Sequence, residues 1–122
     1  MARTFIVGGS GDIGLSIVDE CLSLGHEVIL HYNRSNINEL KQRYAGQPVT
    51  FLQFDLTNKD NLQFLTSIGH IDQLIYAAGQ SSFGAIQDFT DDEIDVQYNL
   101  NVYALIKIVQ LFVDDIRKSE NG

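Results

Sequence analysis

Residues 5–16 read FIVGGSGDIGLS and place Gly8, Gly9, Gly11 and Gly14 directly after an apolar run. Backbone stripped of side chains where a strand turns into a helix lets N–H groups approach a diphosphate at the helix's positive end. The spacing can be counted as G-x-G-x-x-G from Gly9, as G-x-x-G-x-x-G from Gly8, or as G-x-x-x-G-x-G with Asp12 at the middle glycine's place. No Gly-Lys-Ser or Gly-Lys-Thr follows, which argues against a loop built for ATP or GTP hydrolysis. Glycines there can serve only a tight βα turn, but after a first strand and before an amphipathic helix they favour a dinucleotide, whose ribose the residues about 20 positions further on would read. An acid there would bond the 2′-hydroxyl of NAD and repel a 2′-phosphate. This chain has His31, Tyr32, Asn33, Arg34 and Ser35 instead. Arg34 can pair with phosphate while Asn33 and Ser35 donate hydrogen bonds, so NADP(H) is favoured and NAD(H) stays possible.

Other chemistry-bearing residues lead nowhere comparable. Cys21 falls on the apolar stripe of a helix and reads as a small core residue. His26, His31 and His70 have no ligand spacing among themselves or with Cys21, so no metal site is expected. The acids at 88, 91, 92, 93 and 95 surround a helix start, which capping explains better than calcium.

The glycine loop works only if elements hold it. Residues 4–7 read as a buried strand, and apolar residues at 13, 17, 18, 21 and 24 make a helical stripe that Gly25 ends. Strands are predicted at 27–32, 49–54 and 73–78, with a short helix at 37–44 and another through Leu62, Leu65 and Ile68. Asp12 is placed to cap the first helix, and Thr90 with Glu93 forms a capping box opening a long helix that closes on Arg117 and Lys118. Strand and helix alternate, and the strands are continuous apolar runs. That pattern predicts an α/β, doubly wound parallel sheet covered on both faces, with ligands beyond the carboxyl ends of its strands.

Composition sets the outer bounds. The chain has 122 residues, 44% hydrophobic and 20% charged, enough for one domain with a real core. A net charge of −8 argues against a nucleic-acid partner. One cysteine rules out an internal disulfide, and no stretch reads as a signal peptide or membrane span, so a cytoplasmic location is expected.

Several stretches, in order, resemble the short-chain dehydrogenase/reductase family. Residues 7–14, VGGSGDIG, resemble its T-G-x-x-x-G-I-G loop, with Val7 for threonine and Asp12 for glycine. That resemblance selects the third glycine count and treats Gly9 and Gly11 as extras. Residues 54–57, FDLT, resemble the D-[VL]-T stretch after the third strand; residues 76–79, YAAG, resemble N-N-A-G with both asparagines replaced. Residues 89–93, FTDDE, then 98–100, YNL, resemble T-x-E-x-W leading to V-N-L. HYNRS resembles the NADPH-using 3-oxoacyl-carrier-protein reductase branch.

The resemblance implies a Rossmann-type fold with four strands here and later strands missing, so that residues 1–122 are an NAD(P)-binding domain ending before the catalytic Ser/Tyr/Lys segment. It implies reduction of a small carbonyl by hydride transfer in the full-length protein. Gly8, Ser10, Ile13 and Gly14, with Gly11 and Asp12 of the same loop, would lie at the diphosphate, and Arg34 beside Asn33 at the 2′-phosphate. Asp55 and Leu56 would meet the adenine, and Ala78 and Gly79 the nicotinamide ribose. Asn99 would be the catalytic asparagine that kinks the long helix and holds a water of the proton relay. Tyr103 and Lys107 match Y-x-x-x-K but follow Asn99 on the same helix, where the family has packing residues, so the pair is not taken as catalytic. Ten of the twelve residues at 102–113 are apolar, more than one buried face can use, so association through the helix at 91–118, as a homo-oligomer, is expected. Two other readings stay open: a non-catalytic dinucleotide-binding or regulatory module, and a fragment acting only through helix-mediated association.

Overall fold

The computed structural model describes residues 1–120 and 122. Four parallel strands, β1 (Arg3–Val7), β2 (Glu27–Tyr32), β3 (Val49–Gln53) and β4 (Gln73–Tyr76), lie in the order β3-β2-β1-β4. Alternation along the strands splits the core. Phe5, Val7 and Ile29 face one side with Leu62, Leu65, Ile108 and Phe112, where Phe5 and Phe112 meet edge-to-face at 5.9 Å. Ile6, Val28 and Leu30 face the other with Val18, Cys21, Leu40 and Tyr44. The central strands β1 and β2 are buried from both sides, which is why their sequences read as continuous apolar runs, while the edge strands β3 and β4 are only partly covered.

Helix α1 (Asp12–Ser23) begins at the glycine loop and ends through Leu24 into Gly25, whose φ of +82° closes the turn. Its N-cap is Gly11 and no side chain caps it, so Asp12 is the first helical residue and not the cap expected from its type. Asn36 caps α2 (Ile37–Arg43) through the amides of Asn38 and Glu39. The helix expected through Leu62, Leu65 and Ile68 is one short α-turn, α3 (Lys59–Leu62), followed by 3₁₀ helix at Gln63–Ile68. Strict spacing of three suits that tighter helix, whose period is 3.0, and buries Leu62 and Leu65 on one side.

Thr90 and Glu93 form the reciprocal capping box of α4 (Asp91–Tyr98). The long helix is then interrupted: Asn99–Tyr103 is a π segment in which the Ala104 amide donates to the Asn99 carbonyl, and α5 (Ala104–Lys118) resumes beyond it. A π turn inserts one extra residue, rotates the helix that follows and releases a carbonyl from the regular ladder. The Leu100 carbonyl takes the hydroxyl of Tyr76 from the end of β4. No helix among the described residues is long and apolar enough to cross a membrane.

Candidate dinucleotide site

At the carboxyl ends of the strands lies a groove of about 440 Å³. Its floor is the glycine loop. Gly8 has a φ of +75°, and a Cβ there would stand 2.6 Å from the Ala78 amide nitrogen, so conformation and contact both demand glycine. A Cβ on Gly14 would stand 2.4 Å from the Gly8 carbonyl oxygen, so α1 can start this close to the loop only without one. Gly9 is not a by-product of the motif: it is buried, and a Cβ would press on the Leu30 side chain at 3.0 Å. Gly11 differs from all three. A Cβ there would meet only the Gly8 carbonyl oxygen, at 4.0 Å, so its missing side chain opens the groove itself. A loop whose bare backbone faces open space, at the start of a helix without a side-chain cap, fits a diphosphate.

The loop's amides divide into two sets. Gly8 donates to Nδ1 of His31 at 3.0 Å, and Gly9 donates to the His31 carbonyl at 3.0 Å. Both are committed inside the protein, leaving the amides from Ser10 onward for a ligand. Ser35 donates from Oγ to Ser10 Oγ at 2.7 Å and ties the loop to the segment after β2. In that segment Gln53 holds the Asn33 carbonyl at 2.9 Å. Arg34 is exposed on the groove's rim and pairs with no described residue.

Across the groove, Asp55 follows β3 and accepts from the Thr57 amide at 2.9 Å and the Thr57 hydroxyl at 2.7 Å through Oδ1. Leu56 is buried beside it. Ala78 and Gly79 come from the end of β4 and complete the wall with Leu100.

Gly8, Ser10, Gly11, Asn33, Arg34, Asp55, Leu56, Ala78 and Gly79 therefore line one groove. Asp12 and Ile13 contribute side chains to a different one, a wider and mainly apolar depression of about 910 Å³ between α1 and β4, near Leu24 and Ile75. That depression is larger but lacks the bare backbone of Gly8 and Gly11 and the strand-end residues Arg34, Asp55 and Gly79, so its size does not make it the cofactor site. Gly14 is buried behind the loop.

Asn99 is not part of the groove lining, and its side chain bonds to no described residue. Asn101 instead reaches the loop after β4: the Gln80 amide donates to its Oδ1 at 3.0 Å, and its Nδ2 donates to the Gln80 carbonyl at 2.6 Å. Gln97 adds an acceptor for the Ser82 amide at 3.2 Å. Tyr103 lies under the Lys59 ammonium, 4.2 Å from its ring centroid, away from the groove. Tyr76 is pushed up to about 12 by burial and keeps its proton near neutrality.

His31 also lines the groove, a residue to which the motifs assign no role. A histidine in a strand covered on both faces must find partners for both ring nitrogens, and that was the signal available in EVILHY. Burial holds its imidazole below the ordinary value, against the Phe54 carbonyl and Asp55, which pull it up.

A sequence profile of the family described as short chain dehydrogenase matches residues 2–122. An uncharacterized oxidoreductase, YmfI of Bacillus subtilis, is 27% identical over 124 residues, covering 96% of this chain and 51% of its own length. A UDP-glucose 4-epimerase of Neisseria meningitidis is 32% identical over 88 residues, covering 69% of this chain and 26% of itself. A solved Bacillus thuringiensis protein, provisionally assigned as a 3-oxoacyl-reductase, superposes with a TM-score of 0.84 at 25% identity over 97% of this chain and 53% of that one. The chain spans about half the length of the oxidoreductase relative it matches.

Proposed function

This chain belongs to the short chain dehydrogenase family, and from that premise we propose that its groove binds NADP(H), with NAD(H) second, as the cofactor-binding half of a carbonyl reductase. One observation carries the reading. The glycine loop, Arg34, Asp55 and the pair Ala78 and Gly79 come from four separate strand ends and line the same groove.

Amides from Ser10 onward would hold the diphosphate, and Arg34 the 2′-phosphate, which has no acid at the end of β2 to oppose it. Asp55 and Leu56 would border the adenine, and Ala78 and Gly79 the nicotinamide ribose. When bound, the dinucleotide supplies the hydride. Asn101, by fixing Gln80 next to Gly79, would position the loop after β4, while Asn99, where the long helix is interrupted, would keep the role of the catalytic asparagine. The substrate would be a small carbonyl compound, of the 3-oxoacyl kind that HYNRS suggests. The domain proposed is residues 1–122 as the NAD(P)-binding part.

A second reading has its own support. Among the described residues that line the groove, none is a tyrosine paired with a lysine, since Tyr103 and Lys107 lie elsewhere. That favours a dinucleotide-binding module without turnover of its own. Thermal melting with NADPH and NADH tests binding, and consumption of NADPH with a 3-oxoacyl thioester by the full-length protein separates the two readings. A melting curve unmoved by either nucleotide would sink both.

Self-association belongs to the same proposal. Ile94, Tyr98, Val102, Ile106 and Val109 form an exposed apolar stripe along α4 and α5, with Tyr98 56% and Ile106 51% exposed.

A further inference from the structure

We propose that His31 is the positioning residue of the glycine loop, holding it in the ligand-receptive shape only while its imidazole is neutral. The consequence for a nucleotide rests on the dinucleotide reading above; the clamp itself does not.

The protonation state follows from partners that cannot exchange roles. The Gly8 amide can only donate, so Nδ1, 3.0 Å away, must present its lone pair. The Phe54 carbonyl can only accept, so Nε2, 2.8 Å away, must carry the proton. The ring is 3% exposed and lies against the Phe54 ring at 4.2 Å. The Gly9 amide is held by the same residue's carbonyl, so two consecutive loop amides hang on one histidine. A second proton would put an N–H against the Gly8 N–H, lose that bond and bury a charge.

The charged and titratable groups around the ring are few. Asp55, after β3, favours the imidazolium; Arg34, after β2, lines the same groove; Tyr32 adjoins the ring in the strand. Gly8 and Gly9 present backbone only, Asp12 of the same loop lies in the other depression, and the groove residues after β4, Ala77, Ala78 and Gly79, carry no titratable side chain. Burial outweighs the pull of Asp55 and lowers the value, so the clamp is closed at neutral pH and opens in acid.

The test uses the full chain with His31→Asn, whose Oδ1 can still accept from Gly8, and His31→Gln, whose amide can reach Phe54 only. Without nucleotide, ¹⁵N spectra should show Nδ1 bare and Nε2 protonated at pH 7, with the Gly8 amide and the ring titrating at one midpoint below 6.5. The dissociation constant for NADPH should rise up to about tenfold per pH unit below that midpoint. It should stay flat relative to this in His31→Asn, a ratio that cancels titration of the nucleotide's own phosphate. His31→Gln should bind about tenfold more weakly near neutrality. An Nδ1–H tautomer, a Gly8 amide indifferent to the ring's titration, or a His31→Asn curve parallel to wild type would overturn the proposal. Spectra as expected with no nucleotide bound at any pH would support the clamp and overturn the dinucleotide reading instead.

Discussion

Asn101 grips the backbone of Gln80 from both sides, accepting from its amide at 3.0 Å and donating to its carbonyl at 2.6 Å. Two bonds from one side chain fix the loop that follows Gly79, and the π turn at Asn99–Tyr103 sets the helix phase that brings Asn101 there. Asn101→Ala should cost about 1–2 kcal/mol and expose the Gln80 amide to exchange. Asn99→Ala should leave that amide protected. Hydrogen exchange at Gln80 reads the difference, and equal loss in both variants would refute the assignment.

Gly14 and Gly11 should respond differently to one methyl group. At Gly14 the methyl meets the Gly8 carbonyl oxygen at 2.4 Å and the Gly9 carbonyl carbon at 2.7 Å, both backbone. Gly14→Ala should therefore destabilise the chain by about 1–3 kcal/mol or more, seen in urea unfolding. At Gly11 the methyl points into the groove. Gly11→Ala should keep its unfolding midpoint and weaken nucleotide binding.

Much of this was readable in the chain. The β2 range was predicted in full, Gly25 closed α1 as expected, and the Thr90–Glu93 capping box formed as written. These are local devices, settled by residues a few positions apart. An interruption of the long helix at Asn99 was legible through the family resemblance. Its form as a π turn was not, because the bonds that go with it run from Tyr76 and Gln80, far away in the chain, to Leu100 and Asn101. For the same reason nothing in the motif around Asn99 singles out Asn101 as the side chain that reaches the loop. His31 was passed over for a related reason: its work lies in pairing with Gly8 and Phe54, each 23 residues away.

Among the described residues, Arg34 is the one strongly basic group lining the groove. Arg34→Ala should weaken NADPH by about tenfold to a hundredfold and leave NADH within about twofold, measured by calorimetry. Equal loss for both nucleotides would remove the basis for a 2′-phosphate preference.

Asp72 locks the end of α5 to the start of β4. It accepts from Ser119 Oγ at 2.6 Å, from the Arg3 amide at 2.8 Å and pairs with His70 at 2.9 Å. The Ser119 bond first, then the Arg3 amide and His70, hold its carboxyl well below the ordinary 3.8. The stability this contributes is full above that ordinary value and is lost as pH falls through the lower folded-state one. Unfolding in urea across an acid series should show an Asp72-dependent limb that Asp72→Asn flattens.

Ile106→Glu places a charge in the middle of the exposed stripe on α4 and α5. Light scattering should show a smaller species than wild type at the same concentration, with unchanged circular dichroism. A wild-type chain already monomeric would end the association proposal.

The most direct measurement is a ¹H–¹⁵N titration of the full chain with NADPH and NADH. The amides of Ser10, Gly11, Arg34, Leu56 and Gly79 should move together and saturate, with the Arg34 region moving further for NADPH. A folded chain whose spectrum stays unchanged at millimolar NADPH, or whose shifts gather in the depression beside Ile13 and Leu24, would contradict the assignment of the groove.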